Sequence, residues 1–316
     1  MKRIRFIALF VGTVTAYTVT ASAQIDYGFD FTKAGSAGFQ SLKIGVGARE
    51  AALGEAAAAL TNDANAIFWN VGALPIAEGP QVAFTHNQWL AESSLDAVAA
   101  ITHLGSYTLG VSVLHFGIQP FEETTVTAPD GTGRMVDAGD FVVGLAAAKR
   151  FTDKLTIGLQ FKYLYEDLDQ DSYSNLLIDV GTLYYTGFRN LRLAFTLQHF
   201  GPNVEGLRDD FRMPLLFRVS AADELVQSDA LTLSSAVELV HPTDNNEWVN
   251  FGLEALLLDT IALRGGYRQN VDEGEFSVGA GFRPAYAGFR LAADWAYADF
   301  GDVFGGMHRF TVGLAR

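Results

Sequence analysis

From Lys154 onward, large apolar side chains alternate with small or polar ones over runs of about ten residues, each closed by a turn. Leu155, Ile157, Leu159, Phe161, Tyr163 and Tyr165 stand against Thr156, Gly158, Gln160, Lys162 and Glu166. Phe276, Val278, Ala280 and Phe282 stand against Ser277, Gly279, Gly281 and Arg283, and Phe289 to Tyr297 repeats the device. A period of two puts successive side chains on opposite faces of a strand, so each run predicts a strand with one apolar and one polar face. A soluble sandwich shows the same alternation, but its strands usually run five or six residues. Most runs here are about twice that, the length a tilted strand needs to cross a bilayer.

Turn clusters of Gly, Pro, Asn and Asp divide the chain into strands near 81–90, 93–104, 106–116, 139–151, 154–166, 174–187, 190–200, 213–223, 229–240, 246–257, 259–269, 275–286, 288–299 and 305–315. The predicted fold is therefore all-β: a transmembrane antiparallel β-barrel of about fourteen strands, an even number as single-chain bacterial barrels require. Alternate connections are short, while 117–138, 167–173 and 201–212 are long, as expected for turns at one mouth and loops at the other. Residues 118–127 fit either an extra strand or a folded loop.

The polar faces of the last strands carry Glu254, Arg264, Arg268, Arg283, Arg290, Asp294 and Arg309, and an earlier strand carries Lys162. All are expected to project into the lumen, as a ligand path or as mutually paired charges filling a small barrel. Trp248, Trp295, Tyr267 and Tyr297 are expected as interfacial anchors.

Residues 39–78 break the alternation. The Ala-rich stretch from Glu50 to Leu60 has good helix propensity and is stopped by Thr61-Asn62-Asp63. An irregular, partly helical segment is tolerated at membrane depth only inside a barrel, where its backbone is shielded from lipid. This predicts a hatch-like segment over 24–78 ahead of a barrel over 79–316. Before it, Lys2, Arg3 and Arg5, the mostly apolar run Ile7 to Val19 and Ala21-Ser22-Ala23 form a secretory leader over 1–23, so the mature chain is expected to start at Gln24 in the outer membrane.

The run LKIGVGAREAALGEAAAALTNDANAIFWNVGAL resembles the N-terminal signature of the PorV/PorQ family of outer-membrane proteins, which is related to FadL-type transporters. The matching positions are Gly45, Gly47, Ala48, Arg49, Gly54, Asp63, Ala64, Trp69, Asn70 and Leu74, with Val71 where the box Trp-Asn-Pro has its proline. The resemblance implies a fourteen-stranded barrel with a structural hatch. It also implies an accessory role in type IX-like protein secretion or surface attachment, with secretion-system proteins or exported cargo as partners. The FadL relationship implies the alternative, a passive channel for hydrophobic small molecules.

Composition narrows these classes. The chain is 49% hydrophobic with no run long enough for a spanning helix, as alternation in a barrel produces. Its net charge of −14 becomes −17 on loss of the three leader cations, which disfavours nucleic acid and leaves membrane lipid as the natural surroundings. Without Cys there is neither a lipid attachment site nor a disulfide framework.

No catalytic constellation, cofactor motif or metal site emerges, so a non-enzyme is expected. Gly45-Val46-Gly47 and Gly279-Ala280-Gly281 lack the third glycine of a dinucleotide loop. His86, His103, His115, His199, His241 and His308 lack zinc-ligand spacing. Asp167, Asp169 and Asp171 open like a calcium loop, but Ser172 and Ile178 replace its Gly and Glu.

Overall fold

The computed structural model describes residues 35–206 and 209–316; the leader lies outside the described residues. Fourteen long strands follow in chain order: β1 Gln81–Gln88, β2 Ser94–Leu104, β3 Tyr107–Gly117, β4 Ala138–Arg150, β5 Leu155–Leu168, β6 Asp171–Tyr185 and β7 Arg192–Phe200. The second half comprises β8 Leu216–Gln227, β9 Leu231–Pro242, β10 Trp248–Leu257, β11 Ile261–Gln269, β12 Phe276–Phe282, β13 Phe289–Asp299 and β14 Gly306–Ala315. Each pairs antiparallel with its neighbours, and β1 pairs with β14 from Gln81↔Ala315 to Asn87↔Arg309. The sheet is thus a closed barrel whose long strands expose no edge.

The alternation read from the sequence is the inside–outside alternation of this barrel. Along β5, Thr156, Gly158, Gln160 and Lys162 are buried, whereas Leu159, Phe161, Tyr163 and Tyr165 are exposed. Around the outside, Phe84, Val98, Val111, Leu145, Phe195, Val219, Leu253, Leu263 and Phe310 continue the apolar belt. Such a continuous surface is unfavourable against water and favourable against lipid tails. No described helix is long and apolar enough to cross a membrane.

We call the mouth beside Pro80 and Arg316 the lower one and the mouth beside residues 118–137 the upper one. Several boundaries differ from the sequence expectation. No long loop spans 167–173, because β5 and β6 extend to Leu168 and Asp171 and meet in the turn Asp169–Gln170, with Asp169 at φ 69°. Residues 118–137 form a folded loop: Phe121–Glu122 pairs with Met135–Val136 as a small ribbon outside the barrel sheet. Trp248 is not an outer anchor. It shares the inward parity of Asn250 and Glu254, is buried against Leu216 and Val240, and lies under the Arg268 guanidinium.

Inside the barrel lies a plug built from residues 39–77. It holds a 3₁₀ turn at Gln40–Lys43, α1 at Ala48–Ala52, α2 at Ala66–Trp69 and a second 3₁₀ stretch at Val71–Ile76. Glu50–Leu60 is not one helix. It breaks at Gly54 (φ 62°) and Glu55 (φ 64°), where the plug backbone passes against β10 and β11 so closely that a Cβ at Gly54 would lie 2.8 Å from Tyr267 N and 3.1 Å from Phe251 O. Helix propensity yields here to packing, with Ala52, Leu53, Ala56, Ala57, Ala58, Ala59 and Leu60 all buried.

The walls make room for the plug with missing side chains. A Cβ at Gly266 of β11 would lie 1.9 Å from Gly54 N, and one at Gly181 of β6 would lie 2.2 Å from Asn70 Oδ1. One at Gly158 of β5 would lie 2.4 Å from Val71 O. The small residues on the inward parity are therefore slots for plug backbone.

Candidate functional site

The plug divides the lumen. Above it opens an upper vestibule of about 810 Å³, walled by Trp89, Phe116, Trp248, Phe300 and Phe304, with Glu55 and Arg268 at its floor. Lys43 and Ile44 line both this vestibule and an inner cavity of about 40 Å³. Leu42, Val46, Ile67, Phe68, Trp69, Leu114 and Val142 form the apolar side of that cavity, and Ser112, Gln160, Lys162, Asp179, Gln198, His199 and Arg218 its polar side. A lower vestibule of about 380 Å³ reaches Asn62, Asp63, Glu78, Arg283 and Arg290.

Buried ion pairs fasten the plug between these spaces. Arg49 Nε and Nη2 donate to Glu254 Oε2 and Oε1 at 2.9 and 2.8 Å, and Nη1 donates to Asn62 Oδ1 at 2.7 Å. Glu254 also accepts from Arg264 Nε at 2.6 Å, and Arg264 Nη1 donates to Asp294 at 2.6 Å. Arg283 stands 4.0 Å from Glu254. Higher up, Glu55 faces Arg309 at 3.5 Å and Arg268 at 3.8 Å. Charges removed from water need partners, and Arg49 and Glu55 of the plug find theirs on the wall, while Arg264 and Asp294 pair within the wall itself.

Of the eight lumen candidates, Lys162, Glu254, Arg264, Asp294 and Arg309 are buried in the interior, and Arg268 and Arg283 are partly so. Arg290 is different: it is exposed at the lower mouth, where it pairs with Glu78. Lys162 stands apart from the others, bound to Asp179 at 2.7 Å and to His199 Nδ1 at 3.0 Å beside the inner cavity.

The family-motif positions come together in the plug. Gly45 and Gly47 lead into α1, where Ala48 N–H donates to Thr311 Oγ1 at 2.8 Å and Arg49 follows. Gly54 passes the β11 backbone, with its N–H donating to Ser277 Oγ at 3.0 Å. Asp63 Oδ1 accepts from Asn65 N–H at 2.9 Å, and Ala64 N–H donates to Gln81 at 3.1 Å. Trp69 Nε1 donates to Val46 O at 2.7 Å, under the Arg218 guanidinium. Asn70 donates to Ala58 O at 2.8 Å and Thr182 O at 3.1 Å and accepts from Gly72 N–H at 3.0 Å, so the turn forms with Val71 in the proline position. Leu74 is fully buried.

Several site residues were not singled out by sequence. Arg218 donates to Gln198 at 2.9 Å and to Glu238 at 2.7 Å, and Glu238 accepts from Ala58 N–H of the plug at 2.8 Å. Their signal was parity: Arg218 alternates with Phe217 and Val219, as Glu238 does with Val237 and Leu239. Glu55 lay inside a stretch read as helix. At the upper end, Ser41 bonds Asp140 of β4, and Lys43 and Gln40 bond Asp244 at 2.8 and 2.9 Å.

The three aspartates that open like a calcium loop hold no such arrangement: both Asp169 oxygens accept from Arg134 Nη1, at 2.8 and 2.9 Å. Among the described residues no group of three or more His, Asp or Glu is placed to hold a metal ion.

The architecture recurs in solved structures. The toluene transporter TbuX of Ralstonia pickettii is 14% identical, with 85% of this chain and 97% of that one covered at a TM-score of 0.56. The CymD monoaromatic hydrocarbon channel is 12% identical, covering 86% and 96%, with a TM-score of 0.60. A FadL homologue of Pseudomonas aeruginosa is 10% identical, covering 84% and 97%, with a TM-score of 0.56. At such identities the likeness is one of fold. No curated protein matches the chain. Residues 14–175, just over half of the sequence, match the uncharacterised protein family UPF0164, and the chain belongs to that family.

Proposed function

We propose that this protein is a non-enzymatic outer-membrane barrel that passes small hydrophobic molecules without an energy source. The observation that carries the reading is the aromatic upper vestibule, which shares Lys43 and Ile44 with an inner cavity beneath it. The vestibule sets Trp89, Phe116, Trp248, Phe300 and Phe304 among charged and amide side chains such as Asp140, Asn245 and Arg268, and leads to the more apolar cavity below, a concave form that small-molecule sites share. At about 40 Å³ the cavity holds a small group but not a hydrocarbon ring, so passage requires the plug to shift. The solved structures that share the fold are named as transporters and channels of hydrophobic molecules, which supports the same reading.

The test is uptake of radiolabelled toluene by cells with an otherwise intact outer membrane, with and without the chain. Faster entry is expected with it. Equal rates in the presence of correctly assembled barrel overturn the proposal.

A PorV/PorQ-type accessory role in secretion is the second reading. It draws on the resemblance over residues 34–74 and on the ribbon at 118–137, which presents Phe121, Val126 and Met135 to solvent. Unchanged cargo export after deletion of residues 120–136 would count against it.

A further inference from the structure

The polar wall of the inner cavity is charge-balanced. Lys162 is paired with Asp179 at 2.7 Å, Arg218 with Glu238 at 2.7 Å and Lys43 with Asp244 at 2.8 Å. A carboxylate arriving there would find no cation without a partner. A charged head would therefore lose its hydration with nothing to replace it.

Hydrogen bonding is not balanced in the same way. Gln160 is 1% exposed; its Nε2 donates to Ser112 Oγ at 3.0 Å, and its Oε1 has no partner among the described residues. On the neighbouring part of the wall, Lys162 Nζ lies 3.0 Å from His199 Nδ1. An ammonium has only protons to offer, so Nδ1 must accept, and a neutral imidazole then carries its proton on Nε2. His199 N–H is itself committed to Asp179 at 2.7 Å, and no described group accepts from Nε2. Gln160, with its unpaired acceptor, and His199, with its unpaired donor, both line one cavity whose apolar side holds Ile44, Val46, Leu114 and Val142.

We propose that Gln160 and His199 form a recognition point for the hydroxyl of a neutral hydrophobic molecule, a phenol or an alcohol. A hydroxyl both donates and accepts, which matches the two free positions. The free volume of about 40 Å³ suits such a head while the body lies toward Ile44 and the vestibule. This deepens the transport reading and rests on it, since it names the class of molecule that the route prefers.

The experiment compares three probes of one shape on the purified, detergent-solubilised full chain: 4-ethylphenol, ethylbenzene and 4-ethylbenzoate, by equilibrium dialysis at neutral pH. The expected order places 4-ethylphenol about tenfold tighter than ethylbenzene, with 4-ethylbenzoate weakest, because a site with orphaned polar groups penalises the analogue that leaves them unpaired. In Gln160→Met the phenol preference should fall to about twofold or less, with ethylbenzene binding retained. Ethylbenzene or 4-ethylbenzoate binding as tightly as 4-ethylphenol to the unaltered chain overturns the inference while leaving the transport reading in place. An unchanged phenol preference in Gln160→Met overturns it as well. Binding of none of the three overturns the transport reading, and the inference with it.

Discussion

Arg49 of the plug grips Glu254 of β10 through two parallel hydrogen bonds of 2.9 and 2.8 Å, the planar fork that guanidinium and carboxylate form best. This pair joins the hatch to the wall at a level where neither side chain reaches water. Arg49→Ala leaves Glu254 neutralised by Arg264 at 2.6 Å but removes both charge-assisted hydrogen bonds that join it to the plug. It should therefore loosen the plug by roughly 3 kcal/mol while the barrel sheet, held by its own ladder, persists. Hydrogen exchange read by mass spectrometry checks this: amides of residues 48–61 should exchange on the order of a hundredfold faster, with β5 and β6 unchanged. Equal protection in both regions would show that the pair does not hold the plug.

Two adjacent glycines of β11 separate the roles of inside and outside. Gly265 has nothing within 4 Å of where a Cβ would lie, whereas Gly266 has Gly54 N at 1.9 Å. Gly265→Ala should leave thermal stability and plug protection unaltered. Gly266→Ala must displace the backbone at Leu53 and Gly54, and a cost of about 1–3 kcal/mol is expected from overpacking. Thermal unfolding followed by the mobility shift between folded and heated barrel on a gel gives the comparison. A neutral Gly266→Ala would show that the plug passes farther from β11.

How much of this was legible in the sequence depends on the range of the interaction. The facing of Phe161 and Gln160 follows from a local period of two, which the sequence carries directly. Trp248 was misplaced because an aromatic near a strand end suggested an interfacial anchor, although its even parity with Asn250 and Glu254 already put it inside. The break at Gly54 and Glu55 was hidden by the alanines around it, since the cause is contact with β10 and β11, some two hundred residues away in the chain. The pairing of Arg49 with Glu254 is of the same kind: the charges could be read, but their partners are set by closure of the barrel.

The ribbon at the upper mouth is fastened by charge and should respond to pH. Arg134 donates to Glu123 at 3.0 Å and spans to Asp169 at 2.8 Å, which ties the ribbon to the β5–β6 turn. The hydrogen bond from Arg134, with a second from Thr132, holds the Glu123 carboxyl below its ordinary range. A carboxyl whose value is lowered on folding contributes stability above the unfolded value, about 4.3, and that contribution is lost as pH falls through the folded value. A spin label at Val126, fully exposed at the ribbon tip, should keep its mobility from neutral pH to about 4.5 and gain mobility below it. Arg134→Gln should be mobile throughout. A label indifferent to both changes would show that the ion pairs do not fasten the ribbon.

The outer belt gives the most direct test of the surroundings. Phe161 is 55% exposed in the middle of β5, between the buried Gln160 and Lys162. Were this surface in water, Phe161→Arg would shift stability by no more than about 0.5 kcal/mol, the usual range for surface substitutions. Against lipid tails an arginine at mid-depth must be solvated by distorting the bilayer or by reaching toward an interface, at about 2–4 kcal/mol. Urea titration of folding into lipid vesicles measures the difference, with Thr102→Arg, exposed on the outer face of β2 near the lower mouth, as a control expected to cost about 1 kcal/mol or less. The contrast between the two sites, rather than either value alone, identifies the medium. Equal costs at mid-strand and rim would mean that no hydrocarbon layer surrounds the belt, because only such a layer makes the cost of an outward-facing charge depend on depth.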